Sequence, residues 1–341
     1  MALTRHAEIW LPDYVADRLR RILRPGLPPR RVWLAITDHF EPYWQNASPA
    51  TALERVTRWR SIWPQISSRN LDSAGQPAQY SFFYPEEEYE PHILDMLAEI
   101  VRLGHGDVEI HIHHDNDTEA HFVEVMQSFI RRLHDVHGLL NESGGKTVFG
   151  FIHGNWALNN SHPLGRYCGL NNEISLLRDL GCYADFTMPA PDEPAQVRQV
   201  NTIYWAVDDP RRPKSHNRGP VVKAGSWEPR DLLMITGPLG PRFEPGHLLP
   251  RIEAGELSNR DPVTTRRVRR WLDLAPRVGS DVFVKLFTHG TQENVSAALL
   301  GGELDNVFRM LSAECRRRGL ELHYATAWQM RQAVEAAALE R

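Results

Sequence analysis

The sequence predicts an α/β fold whose parallel strands are shielded by crossover helices, and three observations carry that prediction. Strand-like and helix-like stretches alternate almost from end to end. No shift in composition marks a domain boundary, and no internal repeat interrupts the order. Several strands close on ionisable residues, as strand ends gathered at one rim of a barrel do. An open doubly wound sheet gives the same alternation, but roughly seven or eight evenly spread strands favour a TIM-like (β/α) barrel. Residues 1–341 are expected to form a single domain. Within it, 1–28 should be a peripheral N-terminal helix and 189–260 a loop-rich excursion near the mouth of a site.

Residues 8–24 read as a helix with an arginine-rich face, closed by Pro25-Gly26. The first strand, 32–36, runs into Thr37-Asp38-His39-Phe40-Glu41-Pro42, and 49–66 has helical period. A second strand, 80–84, precedes Pro85 and the acidic Glu86 to Glu88, and a helix over 92–103 stops at Gly104. The third strand opens the stretch D-V-E-I-H-I-H-H-D-N-D-T, residues 107–118, and a helix follows over 119–137. Gly144-Gly145-Lys146-Thr147 precedes the strand 147–153, which makes it a hairpin-like turn and not a phosphate loop. Then come a helix over 171–180, a short strand at 183–188, and strand signals at 202–207 and 232–236 inside a proline-rich middle. The last third alternates helix (262–274), strand (281–288), helices (295–301 and 304–318), strand (320–325) and a helix from Ala327.

Composition excludes several function classes. With 39 basic and 43 acidic residues the formal charge is −4, so no broad basic field exists for nucleic acid. The basic clusters at 18–24, 266–270 and 316–318 lie on helical patterns and read as solvated faces. Cys168, Cys182 and Cys315 lack metal-ligand spacing and are odd in number, which argues against a disulfide framework and for a reducing compartment. The N-terminus lacks a signal peptide's apolar core and no run is long enough to cross a bilayer, so a soluble cytoplasmic protein without membrane contact is expected. The oligomeric state is not legible.

The 107–118 stretch carries the chemistry. Val108, Ile110 and Ile112 alternate with Glu109, His111 and His113, so one strand face is apolar and the other holds two imidazoles that can converge on one point. Imidazole and carboxylate together suit a divalent metal: zinc first, with manganese, cobalt and nickel as alternatives. Other strands end alike. Asp38, His39 and Glu41 end the first, His153-Gly154-Asn155 the fourth, and His289 a late one, while Asp185 lies in a short one. A metal acidifies water and polarises a carbonyl, a carboxylate takes the proton, and a histidine protonates the leaving group. Asp185 is a candidate partner for that histidine. Tyr43, Trp44 and Trp156, with Asn155 beside it, follow strand ends closely enough to contact a sugar ring.

In order and spacing these segments resemble the NodB-homology polysaccharide deacetylases, as a divergent branch of them, from the first strand to about His289. The resemblance implies a distorted (β/α)7 barrel. It puts Asp38 on the catalytic-base aspartate and His39 on a metal-binding carboxylate, with Glu41 as the alternative oxygen ligand. Aligned on Glu109-Ile110, His113 falls on the first metal histidine and Asp117 on the second, or His111 or His114 ligates in a shifted register. His153 replaces an arginine that orients the base, Asp185 matches a positioning aspartate, and His289 matches the general acid. The implied activity is metal-dependent hydrolysis of a carbon–nitrogen bond in an N-acetylated sugar or related small amide. A catalytically idle carbohydrate- or metal-binding protein on the same scaffold is the alternative.

Overall fold

The computed structural model describes residues 4–246 and 248–340, so residues 1–3 at the start of the expected 1–28 segment, His247 and Arg341 lie outside it. The strands are β1 (Arg31–His39), β2 (Ser81–Pro85), β3 (Asp107–Ile112), β4 (Asn141–Ser143), β5 (Lys146–His153), β6 (Cys182–Asp185), β7 (Ile203–Ala206), β8 (Leu232–Ile235), β9 (Gly240–Arg242), β10 (Arg251–Glu253), β11 (Arg277–Val278), β12 (Asp281–Thr288) and β13 (Glu321–Tyr324). The helices are α1 (Ala7–Leu23), α2 (Pro49–Arg69), α3 (Pro91–Arg102), α4 (Glu119–Arg131), α5 (Glu173–Asp179), α6 (Thr265–Leu274), α7 (Glu293–Ala298), α8 (Leu304–Arg318) and α9 (Ala327–Leu339). Local chemistry sets several of these limits. Ser48 caps α2 with Pro49 in its first turn, Thr118 caps α4, Thr326 and Gln329 form a capping box on α9, and Gly319 ends α8 in the left-handed region.

The main sheet runs β11-β12-β1-β2-β3-β5-β6-β8-β7, with β13 beside β1 and β4 beside β5. Pairing is parallel except where β11 meets β12, β4 meets β5 and β7 meets β8. The antiparallel β4–β5 pair closes through Gly144-Gly145, both at positive φ, so that stretch is the expected hairpin turn. Strand alternation divides the sheet into two faces. Val32, Leu34 and Ile36, Val108, Ile110 and Ile112, and Val282, Val284 and Leu286 pack with α2, α3, α4, α6 and α8. Ala35, Ile152 and Phe283 join β7, β8 and the buried side of α9 on the other face. The start of α9 is fixed at the N-terminal strand edge, where Ala327 N donates to Ser81 Oγ (2.7 Å) and Trp328 N to Asp107 Oδ2 (3.3 Å). The C-terminal edge is therefore left for chemistry.

The first helix is less peripheral than its sequence implies. Trp10 is fully buried against Val200, Leu239, Ala254 and Phe287, which contributes on the order of a few kcal/mol, although Leu19, Ile22 and Leu23 stay exposed. In the proline-rich middle the strand signals at 202–207 and 232–236 become β7 and β8, which join the sheet, and β9 and β10, which had no such signal, pair with each other.

Lys285 is buried on the apolar α9 face. Its Nζ donates to Phe186 O (2.6 Å) and Met188 O (2.8 Å), and burial pushes its amine down to about 7 despite the opposing field of Asp185. Between about pH 7 and the ordinary lysine value of 10.5, the unfolded chain binds the extra proton, so this residue makes stability rise with pH. In urea titrations, the stability of the wild type relative to Lys285→Met is expected to grow by about 1.4 kcal/mol per pH unit across that window. A difference that stays flat would show that the buried amine remains charged.

Candidate metal centre

At the C-terminal strand edge a cavity of about 640 Å³ is lined by His39, Glu41, Trp44, His113, Asn155, Trp156 and His289, with Glu256, Ser258 to Arg260 and Gln292 to Val295 along its rim. Glu256 and Ser258 to Arg260 belong to the last residues of the 189–260 stretch. The imidazoles arrive by strand parity. His39 continues the Ala35 face of β1, His111 and His113 the Glu109 face of β3, and His289 the Phe283 face of β12. They form a contiguous row: His289 stacks on His39 (centroids 4.6 Å), His39 meets His111 edge-on (5.1 Å), and His111 meets His113 edge-on (4.6 Å). Trp156 packs against His289 at 5.9 Å and His39 at 5.6 Å.

Glu41 is the carboxylate of this row, with Oε1 3.3 Å from His111 Nε2 and 3.8 Å from His113 Nε2. Donor atoms of His39, Glu41 and His111 lie within 4.8 Å of one another, so this group could hold a metal. The hydrogen bonds fit that role. His111 Nδ1 meets the Ile152 carbonyl at 2.9 Å; a carbonyl only accepts, so Nδ1 carries the proton and Nε2 offers its lone pair toward Glu41. Burial drives His39 well below the ordinary imidazole value, and the neighbouring His289 and His111 push the same way, which keeps it neutral as a ligand must be. Burial raises Glu41, but the surrounding imidazoles of His111, His289 and His113 outweigh it, so its carboxyl sits below the usual range. His113 is held by Glu87, which accepts from its Nδ1–H and from its backbone N–H, the latter at 3.3 Å. Burial disfavours charge on His113, yet Glu87 and Glu41 more than offset it, whereas burial dominates at His289 and lowers it. Gly154 completes the packing, since a Cβ there would collide with the His113 ring.

Asp38 does not join this group. It is fully buried on the opposite face of β1, where Oδ1 accepts from Gly290 N (2.7 Å) and Oδ2 from Tyr80 Oη (2.8 Å) beside Trp59. Adjacent residues of a strand point to opposite faces, so Asp38 and His39 cannot both reach one site. Burial pushes the Asp38 carboxyl up to about 7, with the Gly290 and Tyr80 bonds opposing. Tyr43 packs on the helix-side core and is not among the cavity's lining residues, unlike Trp44. Asp185 is buried and holds Thr187 through its N–H (3.1 Å) and hydroxyl (2.6 Å); Thr187 Oγ1 in turn accepts from His153 N (2.9 Å). It positions the end of β5 and does not partner His289.

The expected pairing of His113 with Asp117 also fails, because the chain turns between them. Asp117 accepts from His114 Nδ1 (3.0 Å) and His121 Nδ1 (2.7 Å). His114 and His153 belong to a second group on the helix-side face, where His114 packs on Phe122 of α4. Donor atoms of His114, His153, Cys168 and Glu173 lie within 4.8 Å of one another, and this group could hold a metal too. Sequence reasoning missed Glu87, Cys168 and Glu173. Glu87 was visible as part of the acidic triplet, but Cys168 and Glu173 had no spacing signal, since Cys168 lies in the irregular connection before α5 and Glu173 starts that helix.

Among the described residues no helix is long and apolar enough to cross a membrane, and none of the three cysteines is in a disulfide. Comparison with models of known protein families finds no match, and no curated protein matches the chain.

Proposed function

We propose that this chain is a metal-dependent hydrolase that removes an acyl group, acetyl first among them, from an N-acetylated sugar or related small amide. The observation that carries the proposal is the meeting of His39 and Glu41, which line a cavity of about 640 Å³, with the buried His111 behind them; the cavity is large enough for a sugar ring and walled by Trp44 and Trp156. A divalent cation held there, zinc by preference for this nitrogen and oxygen donor set, supplies Lewis acidity toward a carbonyl and acidifies water. The chain's own groups do the rest. Glu87 accepts from Nδ1–H of His113 and so aims its Nε2 lone pair into the cavity, the orientation a general base requires. His113 then draws the proton from the attacking water as its oxygen bonds to the carbonyl carbon. His113 then gives that proton to the nitrogen as the carbon–nitrogen bond breaks, leaving the acid and a free amine, while His289, neutral at the far end of the imidazole row, offers a hydrogen bond to the departing group. Asn155 and Arg260 offer hydrogen bonds to hydroxyl groups, while the two indoles cover a ring face.

We read the sheet as the distorted (β/α)7 barrel of the polysaccharide deacetylases. The bonds from Lys285 on β12 to the chain after β6 support this, as does the apolar cluster that joins β1, β7, β8 and β12. The three free cysteines suit the cytoplasm. A second reading, a catalytically idle carbohydrate- or metal-binding protein, draws on Asp38, since the carboxylate expected as base faces away. Zinc-loaded protein incubated with N-acetylglucosamine oligomers separates the two. Release of acetate that ceases on chelation is expected, whereas saturable sugar binding without acetate would establish the idle reading.

A further inference from the structure

The second group of donors lies on the other side of the sheet from the cavity, and its geometry asks for a cation of its own. His153 Nδ1 is bonded to the carbonyl of Gly154, which only accepts, so its proton is on Nδ1 and its Nε2 carries a lone pair. His114 Nδ1 faces the Asp117 carboxylate at 3.0 Å, which fixes the same tautomer. The two Nε2 atoms nevertheless stand only 2.9 Å apart, and Glu173 Oε1 lies 3.3 Å from one and 3.5 Å from the other. Three lone-pair atoms converge where no Lys or Arg answers them: the ion-pair partners of Glu173 among the described residues are those two imidazoles alone. Glu173, His153 and Cys168 are fully buried, and although Glu173 Oε2 accepts from Asn159 N (2.6 Å), its Oε1 faces only the two imidazoles, an arrangement a cation between them would settle.

Cys168 supplies an independent sign. Its sulfur receives the backbone N–H groups of Asn160 (3.2 Å) and Leu170 (3.4 Å) and stands 3.3 Å from Glu173 Oε2. Two amides aimed at one sulfur favour the thiolate, the form that binds metal, and a cation here displaces the proton that the thiol otherwise donates to Glu173 Oε2. Ligands about 2.0–2.3 Å from a tetrahedral centre are roughly 3.3–3.7 Å from one another; the carboxylate–imidazole separations of 3.3 and 3.5 Å fall in that range, and the 2.9 Å between the imidazoles is shorter.

We infer that His114, His153, Cys168 and Glu173 form a second, closed metal site that takes zinc as a structural ion, separate from the open site at the cavity. Sulfur, nitrogen and carboxylate ligands with no solvent-facing position suit zinc and leave no place for a substrate. The ion ties the connection carrying Cys168 and the start of α5 to the ends of β3 and β5. Those ends also carry His113 and Gly154, so the closed site steadies one wall of the open one.

The test uses the full chain and cobalt as the probe, because a thiolate ligand gives a charge-transfer band that imidazole and carboxylate do not. Cobalt-loaded wild type is expected to show that band, His111→Ala to keep it while losing the metal of the cavity, and Cys168→Ser to lose it together with one metal equivalent. Should Cys168→Ser fail to fold, X-ray absorption of zinc-loaded His111→Ala reads the same point, with one sulfur at about 2.3 Å expected in the zinc shell. A wild type without the band, or zinc in His111→Ala without a sulfur neighbour, would overturn the assignment and leave a shared proton between the two imidazoles. Neither result depends on hydrolysis at the cavity.

Discussion

Replacing His111 with alanine is expected to strip the cavity of its metal and to lower turnover by about two to four powers of ten. The effect is large because His111 acts through both ring nitrogens. Nε2 faces Glu41, and Nδ1 is pinned by the Ile152 carbonyl, so the lone pair is set before any metal arrives. Losing the ligand forfeits the several kcal/mol that a Lewis acid contributes at the transition state, at about 1.4 kcal/mol per tenfold in rate. Metal analysis and acetate release on the same preparations should fall together. A variant that keeps the cavity metal at full occupancy would remove His111 from the ligand set.

Asp38 should behave in the opposite way. Asp38→Ala leaves the Gly290 N–H and the Tyr80 hydroxyl without acceptors in a dry site, and each costs about 1–3 kcal/mol. A stability loss of roughly 2–5 kcal/mol is expected, read from the urea midpoint. Asp38→Asn should recover most of it, because its carbonyl accepts from Gly290 and the tyrosine hydroxyl can turn to accept from the amide. The decisive number is turnover. A catalytic base is worth about 10²–10⁴ in rate, so Asp38→Asn within about tenfold of wild type makes Asp38 a brace for the His289–Gly290 turn. A stable, metal-replete Asp38→Asn without activity would return Asp38 to the chemistry.

The same residues show how much of the site is legible in the chain itself. The alternation of β3 sets His111 and His113 on one face, and the two rings do meet edge-on in the imidazole row. Parity applied to β1 separates Asp38 from His39 in the same way. Resemblance to a motif with paired aspartates favours the opposite reading, and the strand geometry decides against it. Past the strand ends the period is lost. His113 and His114 are neighbours in the chain, yet one packs at the cavity and the other on α4. Nothing local in the sequence announces that turn, nor that Cys168 and Glu173 come to meet His153 from an irregular connection and a helix start. Elements with strong period are legible nearly to the residue: β12 spans Asp281–Thr288 and α8 spans Leu304–Arg318 as expected. The helix at 295–301 instead begins at Glu293 and ends at Ala298, where a wider turn follows. Gly301 and Gly302 weaken that segment's helical preference.

The most direct test of the central claim is anomalous diffraction at the zinc edge from crystals of zinc-loaded wild type. A peak bonded to His39, Glu41 and His111 at about 2.0–2.2 Å is the predicted result. Zinc-replete crystals with no anomalous density between those three side chains would contradict it.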